Sequence, residues 1–287
     1  MTLKKVTTIT ELRTQVAQWH EAKQRVALVP TMGNLHAGHL QLVKEGLKVA
    51  DHVVVSIFVN PTQFAPNEDY QSYPRTLEQD CEALEKVGAE LVFAPNVAEM
   101  YGQQDLSTVT TVEVPILSQL LCGKFRPIHF AGVTTVVNRL FNISQADVAL
   151  FGQKDYQQLT IIKRMVNDLY MPITIIGVPT IRETSGLAMS SRNGYLTAEE
   201  KQIAPRLYQI LTHLKEQLQA GEKAFTALEA NAVQQLQQAG FKPDYVAIRD
   251  ANTLQDAQVQ TRELVILAAA WLGKARLIDN ICLILNE

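Results

Sequence analysis

Short, nearly continuous apolar runs alternate with amphipathic stretches up to about residue 184. The runs at 25–30, 52–59, 89–95, 147–152 and 173–179 are rich in Val and Ile, the pattern of strands covered on both faces. Between them, apolar positions recur with helical spacing over 38–50, 76–88, 131–143 and 155–170. This alternation predicts an α/β fold built on a doubly wound parallel sheet. Beyond residue 184 the order changes: 196–221 and 224–240 read as two helices, and 244–251, 263–273 and 275–285 as strands. A smaller C-terminal α+β domain is expected there. The boundary is placed in or near 182–194, where Gly, Ser and Asn accumulate, giving domains of 1–184 and 185–287.

A chain of 287 residues buries a core without disulfides or a structural metal. Cys81, Cys122 and Cys282 are odd in number and far apart. They argue against a disulfide framework or a CxxC zinc site, and for a reducing cytoplasm. Twenty-six basic against 29 acidic side chains give a net charge of −3 with no long run of either sign. That balance argues against a nucleic-acid surface and favours a small-molecule partner. The N-terminus lacks the apolar core of a signal peptide, and no stretch approaches the roughly 20 apolar residues of a membrane span. A soluble cytoplasmic protein is expected.

The chemistry concentrates in "VPTMGNLHAGHLQLV" (29–43), which runs from the first long apolar segment into a helix start. In open α/β sheets the turn after the first strand is the usual phosphate site. Gly33 and Gly38 let the backbone approach a ligand, and the N–H groups opening the helix point toward an anion. Gly33 to Gly38 has P-loop spacing, but His39 and Leu40 stand where that motif needs Lys and Ser/Thr. Zinc lacks a third ligand: His20, His52, His129 and His213 are scattered, and HExxH is absent. Taken singly, His36 and His39 read equally well as surface or capping residues.

The turn "GNLHAGH" resembles the HxGH signature of the nucleotidylyltransferase superfamily, with "MSSRNG" (189–194) in the place of its second, KMSKS-type loop. Over nearly the whole chain, "VALVPTMGNLHAGH", "VVVSIFVNPTQF", "YPRTLEQD", "FGQKDYQQL", "SSRNGYLT" and "AAWLGKARLIDN" are similar, in the same order, to the pantoate–β-alanine ligase family. The resemblance implies a Rossmann-like sheet of nucleotidylyltransferase type and a two-step reaction. ATP and pantoate give pantoyl adenylate and pyrophosphate, and β-alanine then displaces AMP to form pantothenate. Another adenylyl- or cytidylyl-transferase, or a nucleotide sensor without activity, is the alternative reading; retention of His36, His39, Lys154 and Arg192 speaks against the sensor.

Under the resemblance, ATP is bound by Met32, Gly33, Asn34, Leu35, His36, Ala37, Gly38 and His39, by Gly152, Gln153, Lys154 and Asp155, by the backbone of Ile181, and by Met189, Ser190, Ser191 and Arg192. His36, His39, Lys154 and Arg192 are the catalytic candidates, with His39 the proton donor. Lys154 offers a compact charge to phosphate and Asp155 a helix cap or a ribose contact; a solvated helix start is the plain alternative for this segment. Ser190 and Ser191 are not nucleophiles, since no His–Asp partner or GxSxG elbow accompanies them. Gln63 and Gln158 are expected on pantoate, and Gln63 also on β-alanine, because an amide both donates to carboxylates and exchanges bonds with hydroxyls. Mg²⁺ is expected with ATP, held mainly by phosphates and water, with Asp80 at most a marginal protein ligand. Residues 65–76 and the C-terminal domain are lid candidates, and a homodimer is implied. Two departures from the family stand out: Gln153 where Glu is usual, and Ile128 for Gly in "RPIHF" (126–130), where a local loop change with retained activity is expected.

Overall fold

The computed structural model describes residues 3–66, 68–102 and 105–285. Asn67, in the lid candidate 65–76, lies outside the described residues. In chain order the elements are β1 (Lys4–Val6), α1 (Ile9–Glu21), β2 (Val26–Thr31), α2 (Ala37–Val49), β3 (His52–Ile57), α3 (Leu77–Lys86), β4 (Leu91–Phe93), α4 (Val97–Tyr101), α5 (Cys122–Phe125), α6 (His129–Ser144), β5 (Val148–Gly152), α7 (Tyr156–Asp168) and β6 (Thr174–Val178). They continue with α8 (Ala198–Ile203), α9 (Arg206–Gln219), α10 (Phe225–Gln238), β7 (Lys242–Asp250), β8 (Glu263–Leu272) and β9 (Ala275–Ile284). The chain divides into two compact units. One comprises Met1–Ser118, Arg126–Gln153 and Ile161–Pro179; the other comprises Gln119–Phe125, Lys154–Thr160 and Thr180–Glu287.

The first unit holds a six-stranded, all-parallel sheet in the order β1-β4-β3-β2-β5-β6. Val26, Ala27, Leu28 and Val29 are fully buried, as a central strand covered on both faces requires. Ala27 and Val29 pack with Val53, Val55, Val92, Val148 and Leu150 under Leu42 and Val43 of α2. Strand order reverses at β2, the topological switch point where such sheets bind ligands. There β2 pairs with β5 only at Ala27↔Val148 and Leu28↔Ala149, so Pro30, which has no N–H, lies where β2 has parted from β5. Strand β1 and helix α1 were not anticipated: β1 has three residues, two of them lysines, and α1 is set by a capping box in which Glu11 N–H donates to Thr8 Oγ1 at 3.2 Å.

The second unit holds a three-stranded antiparallel sheet, β7-β8-β9. One face is covered by a leucine stripe, Leu207, Leu211, Leu214 and Leu218 of α9, with Leu228, Ala232 and Leu236 of α10. Arg276, Asn280 and Cys282, alternate residues of β9, project from the opposite face. Segments 119–125 and 154–160 belong to this unit as well. Residues 196–221 do not form the single helix expected from their periodicity. The helix stops at Ile203 and restarts at Arg206, with Pro205 as the cap of α9, because proline lacks the N–H that an unbroken helix would use.

Candidate active site

The turn after β2 is fixed by its own polar groups. Gly33 and Asn34 have positive φ, 83° and 52°, and a side chain on Gly33 would place its Cβ 3.0 Å from Asp80 Oδ2. Asp80, 3 % exposed on α3, accepts the backbone N–H of Asn34 at Oδ2 (2.9 Å) and of Leu35 at Oδ1 (2.8 Å), and the Thr76 hydroxyl at 3.1 Å. His36 then caps α2. Its Nδ1 accepts Gly38 N–H at 3.1 Å, while His39 Nδ1 accepts the His36 N–H at 3.3 Å. The two rings lie 4.1 Å apart between centroids. An Nδ1 that accepts carries no proton, so Nε2–H is the donor atom of each neutral ring. Two imidazole donors thus sit on a helix N-terminus, an arrangement suited to phosphate oxygens.

Gln63 sits in the short 3₁₀ turn after β3 and is 7 % exposed. Its Oε1 accepts from Asn60 Nδ2 at 3.1 Å, and its Nε2 donates to Met32 Sδ at 3.3 Å. Asn60 cannot flip: Nδ2 also donates to the Gly132 carbonyl at 3.1 Å, while Oδ1 accepts from Tyr101 Oη at 2.7 Å and Thr62 Oγ1 at 3.0 Å. The orientation of the Gln63 amide, with its NH₂ on the Met32 side, follows from those partners. Burial raises the Tyr101 pKa, against opposing effects of Thr62 and Arg139, so its hydroxyl stays a donor. Gly132 is needed because a Cβ there would collide with the Thr62 carbonyl and come within 2.6 Å of Gln63 N. His129, 9 % exposed, donates from Nδ1 to the Gln63 carbonyl at 3.0 Å. Ile128 precedes it at φ −93°, ψ −11°, a conformation open to any residue. Arg126 forms a two-bond pair with Glu68 (2.6 and 2.7 Å) that ties down residues of the 65–76 loop.

Gln153–Asp155 make a 3₁₀ turn into α7, with Lys154 and Asp155 in the second unit. Lys154 Nζ lies 3.6 Å from Asp155 Oδ2, and the Lys154 carbonyl accepts Asn280 Nδ2 at 2.8 Å. Gln157, 4 % exposed, grips segment 119–125 by donating to Leu120 O at 2.7 Å and accepting Cys122 N–H at 3.1 Å. Gln158 is half-buried. Residues 181–189 form a small hairpin: Met189 N–H donates to the Ile181 carbonyl at 2.9 Å, and Glu183 N–H to Leu187 O at 2.8 Å. Ser190 caps the following 3₁₀ turn, Ser191–Tyr195, through Arg192 N–H. Buried Asn193 ties that turn back to the hairpin at Glu183 Oε1 (3.0 Å) and Ala188 O (3.1 Å).

The first unit therefore brings together the 32–39 turn and Gln63, through Met32. In the second, the Lys154 segment and the 189–192 turn both rest on the C-terminal sheet. Asn60, Gly132, Gln157, Asn193, Asp279 and Asn280 were not singled out beforehand. The usable signal was an amide or acid inside an otherwise apolar run, as in "FVNPTQF" and "RLIDNICLI". Asp80 holds the turn backbone with both oxygens instead of presenting a bare carboxylate, and no cluster of three His, Cys, Asp or Glu could hold a metal among the described residues. No helix among the described residues is long and apolar enough to cross a membrane, and the three cysteines are unbridged.

Comparison with known proteins bears on the same conclusion. The family model for pantoate–β-alanine ligase matches residues 4–282. The chain is 59 % identical over 273 residues to pantothenate synthetase of Shewanella baltica (strain OS223), covering 95 % of this chain and 96 % of that one. It is 58 % identical over the same length, with the same coverage, to pantothenate synthetase of Shewanella loihica. Among solved structures, pantothenate synthetase from Thermus thermophilus superposes with a TM-score of 0.90 at 42 % identity, covering 97 % of this chain and 99 % of that one. Pantoate-beta-alanine ligase from Francisella tularensis, complexed with beta-gamma ATP and beta-alanine, gives 0.81 at 34 % identity with 97 % of each chain covered. The chain belongs to the pantoate–β-alanine ligase family.

Proposed function

We propose that the protein makes pantothenate from pantoate, β-alanine and ATP through a pantoyl-adenylate intermediate, releasing pyrophosphate and then AMP. The observation that carries this reading is the histidine pair at the switch point, whose Nδ1 atoms are committed to the backbone and whose Nε2–H donors belong to a helix N-terminus. Attack of the pantoate carboxylate on the α-phosphate builds charge on its oxygens and on departing pyrophosphate. Preorganised donors lower that barrier because they need no reorganisation as the charge appears. His39 donates to the developing charge and His36 holds the triphosphate. Lys154 supplies a point charge, and Ser190, Ser191 and Arg192 bind the leaving pyrophosphate. Backbone groups of residues 32–39, Gly152–Asp155 and Ile181 complete ATP binding.

Gln63 and Gln158 bind pantoate, and the fixed NH₂ of Gln63 donates to its carboxylate. The adenylate is already activated toward an amine, so the second step asks mainly for orientation of β-alanine, also at Gln63, and exclusion of water. Mg²⁺ neutralises phosphate charge and is held by phosphates and water. We further propose a homodimer in the cytoplasm, a catalytic domain of residues 1–184 and a lid of residues 185–287. The test is AMP release from ATP. It requires both pantoate and β-alanine under this reading; ADP, or AMP without an amine acceptor, would overturn it.

A further inference from the structure

Two adjacent residues of β9, in the "ARLIDN" stretch, touch the hairpin that leads into Ser190–Arg192 and the Lys154 turn, both in the second unit. Asp279 is 3 % exposed and takes the guanidinium of Arg182 in two bonds, Nη1 to Oδ2 at 2.6 Å and Nη2 to Oδ1 at 2.9 Å. Arg182 also donates to Gly186 O at 3.1 Å and lies 3.6 Å over the Tyr208 ring. It is thereby fixed on three sides, and it opens the hairpin that ends at Met189 and leads into Ser190–Arg192. Asn280 is 7 % exposed and donates Nδ2 to the Lys154 carbonyl at 2.8 Å. Neighbouring strand residues face opposite sides of a sheet. One step along β9 therefore reaches the 181–189 hairpin on one face and the 154 turn on the other.

A buried carboxylate and a buried amide inside an apolar strand are costly unless bonded; Asp279 bonds the hairpin that leads into Ser190–Arg192, and Asn280 bonds the Lys154 turn. We propose that Asp279 and Asn280 are positioning residues for ATP. The β9 backbone sets the register between Lys154 and Arg192, so that both meet one triphosphate without reorganising. This rests on the reading of Lys154 and Arg192 as phosphate-binding groups.

The test is a double-mutant cycle. Asn280→Ala and Asp279→Asn are measured alone and in the Lys154→Ala and Arg192→Ala backgrounds, by pantoate-dependent ATP–pyrophosphate exchange, ATP dissociation constant and thermal unfolding. Asn280→Ala is expected to lower exchange kcat/KM for ATP by about tenfold or more, the scale of a displaced binding group, and to do so by less than about twofold when Lys154 is already alanine. Asp279→Asn behaves likewise toward Arg192; if it does not fold, the Asn280 cycle decides. Equal losses with and without Lys154, or an Asn280→Ala protein with wild-type ATP affinity and exchange, would overturn the proposal. Wild-type exchange by Lys154→Ala itself would instead overturn the phosphate-site reading beneath it.

Discussion

Asp80→Asn is the sharpest probe of how the histidine turn is held. The two carboxylate oxygens each accept one backbone N–H, from Leu35 at 2.8 Å and Asn34 at 2.9 Å. Asparagine keeps one oxygen, so one of those N–H groups faces an NH₂. A lost charge-assisted bond is worth about 1.5–3 kcal/mol and a buried donor left unmade about 1–3. These are two measures of the same lost bond and do not add, so about 1–3 kcal/mol drives the turn to move. A displacement of about 1 Å costs a preorganised site on the order of 10²-fold. Single-turnover formation of pantoyl adenylate is expected to fall by about that factor, while AMP release from added adenylate and β-alanine changes by less than about twofold. Raising Mg²⁺ is expected to restore nothing, because Asp80 acts on the backbone. An unchanged rate, or recovery with excess Mg²⁺, would refute the backbone-clamp argument.

Three further outcomes follow from the geometry. His39→Ala is expected to lower single-turnover adenylation by about 10²–10³-fold, the scale of one preorganised donor. Asn60→Asp turns the donor facing Gln63 Oε1 into an acceptor, so Gln63 must rotate its oxygen toward pantoate; the pantoate KM is expected to rise by about tenfold or more, with the ATP KM nearly unchanged. For Glu68, burial pushes the carboxyl up, but the hydrogen bonds and charge of Arg126 outweigh it and the net pKa lies below the usual 4.5. A lowered carboxylate stabilises above its unfolded pKa and loses that contribution as pH falls through the folded value. The Tm gap between wild type and Arg126→Ala should therefore be full above about pH 5 and close as the solution is acidified below 4.5; a gap that stays constant into acid would contradict it.

The parallel sheet was legible because its central strands are buried on both faces and read as nearly continuous apolar runs, and because its helices carry clear stripes. Strand β1 was hidden by its two lysines, and Pro205 was overlooked just ahead of the leucine stripe of α9. The histidine turn could be read from glycine spacing, since local backbone geometry leaves a local mark. What holds that turn in place could not. Asp80 lies more than forty positions from the N–H groups it accepts, and Asn280 lies 126 positions from Lys154. Such contacts exist only once the chain has folded, and in the sequence they show only as a polar residue where an apolar one was due.

Pantoate-dependent exchange of labelled pyrophosphate into ATP, in the absence of β-alanine, tests the two-step reaction most directly. The expected result is exchange that requires pantoate, with free AMP appearing only when β-alanine is added. No exchange until β-alanine is present, or phosphate and ADP as products, would contradict an adenylate made at the histidine turn.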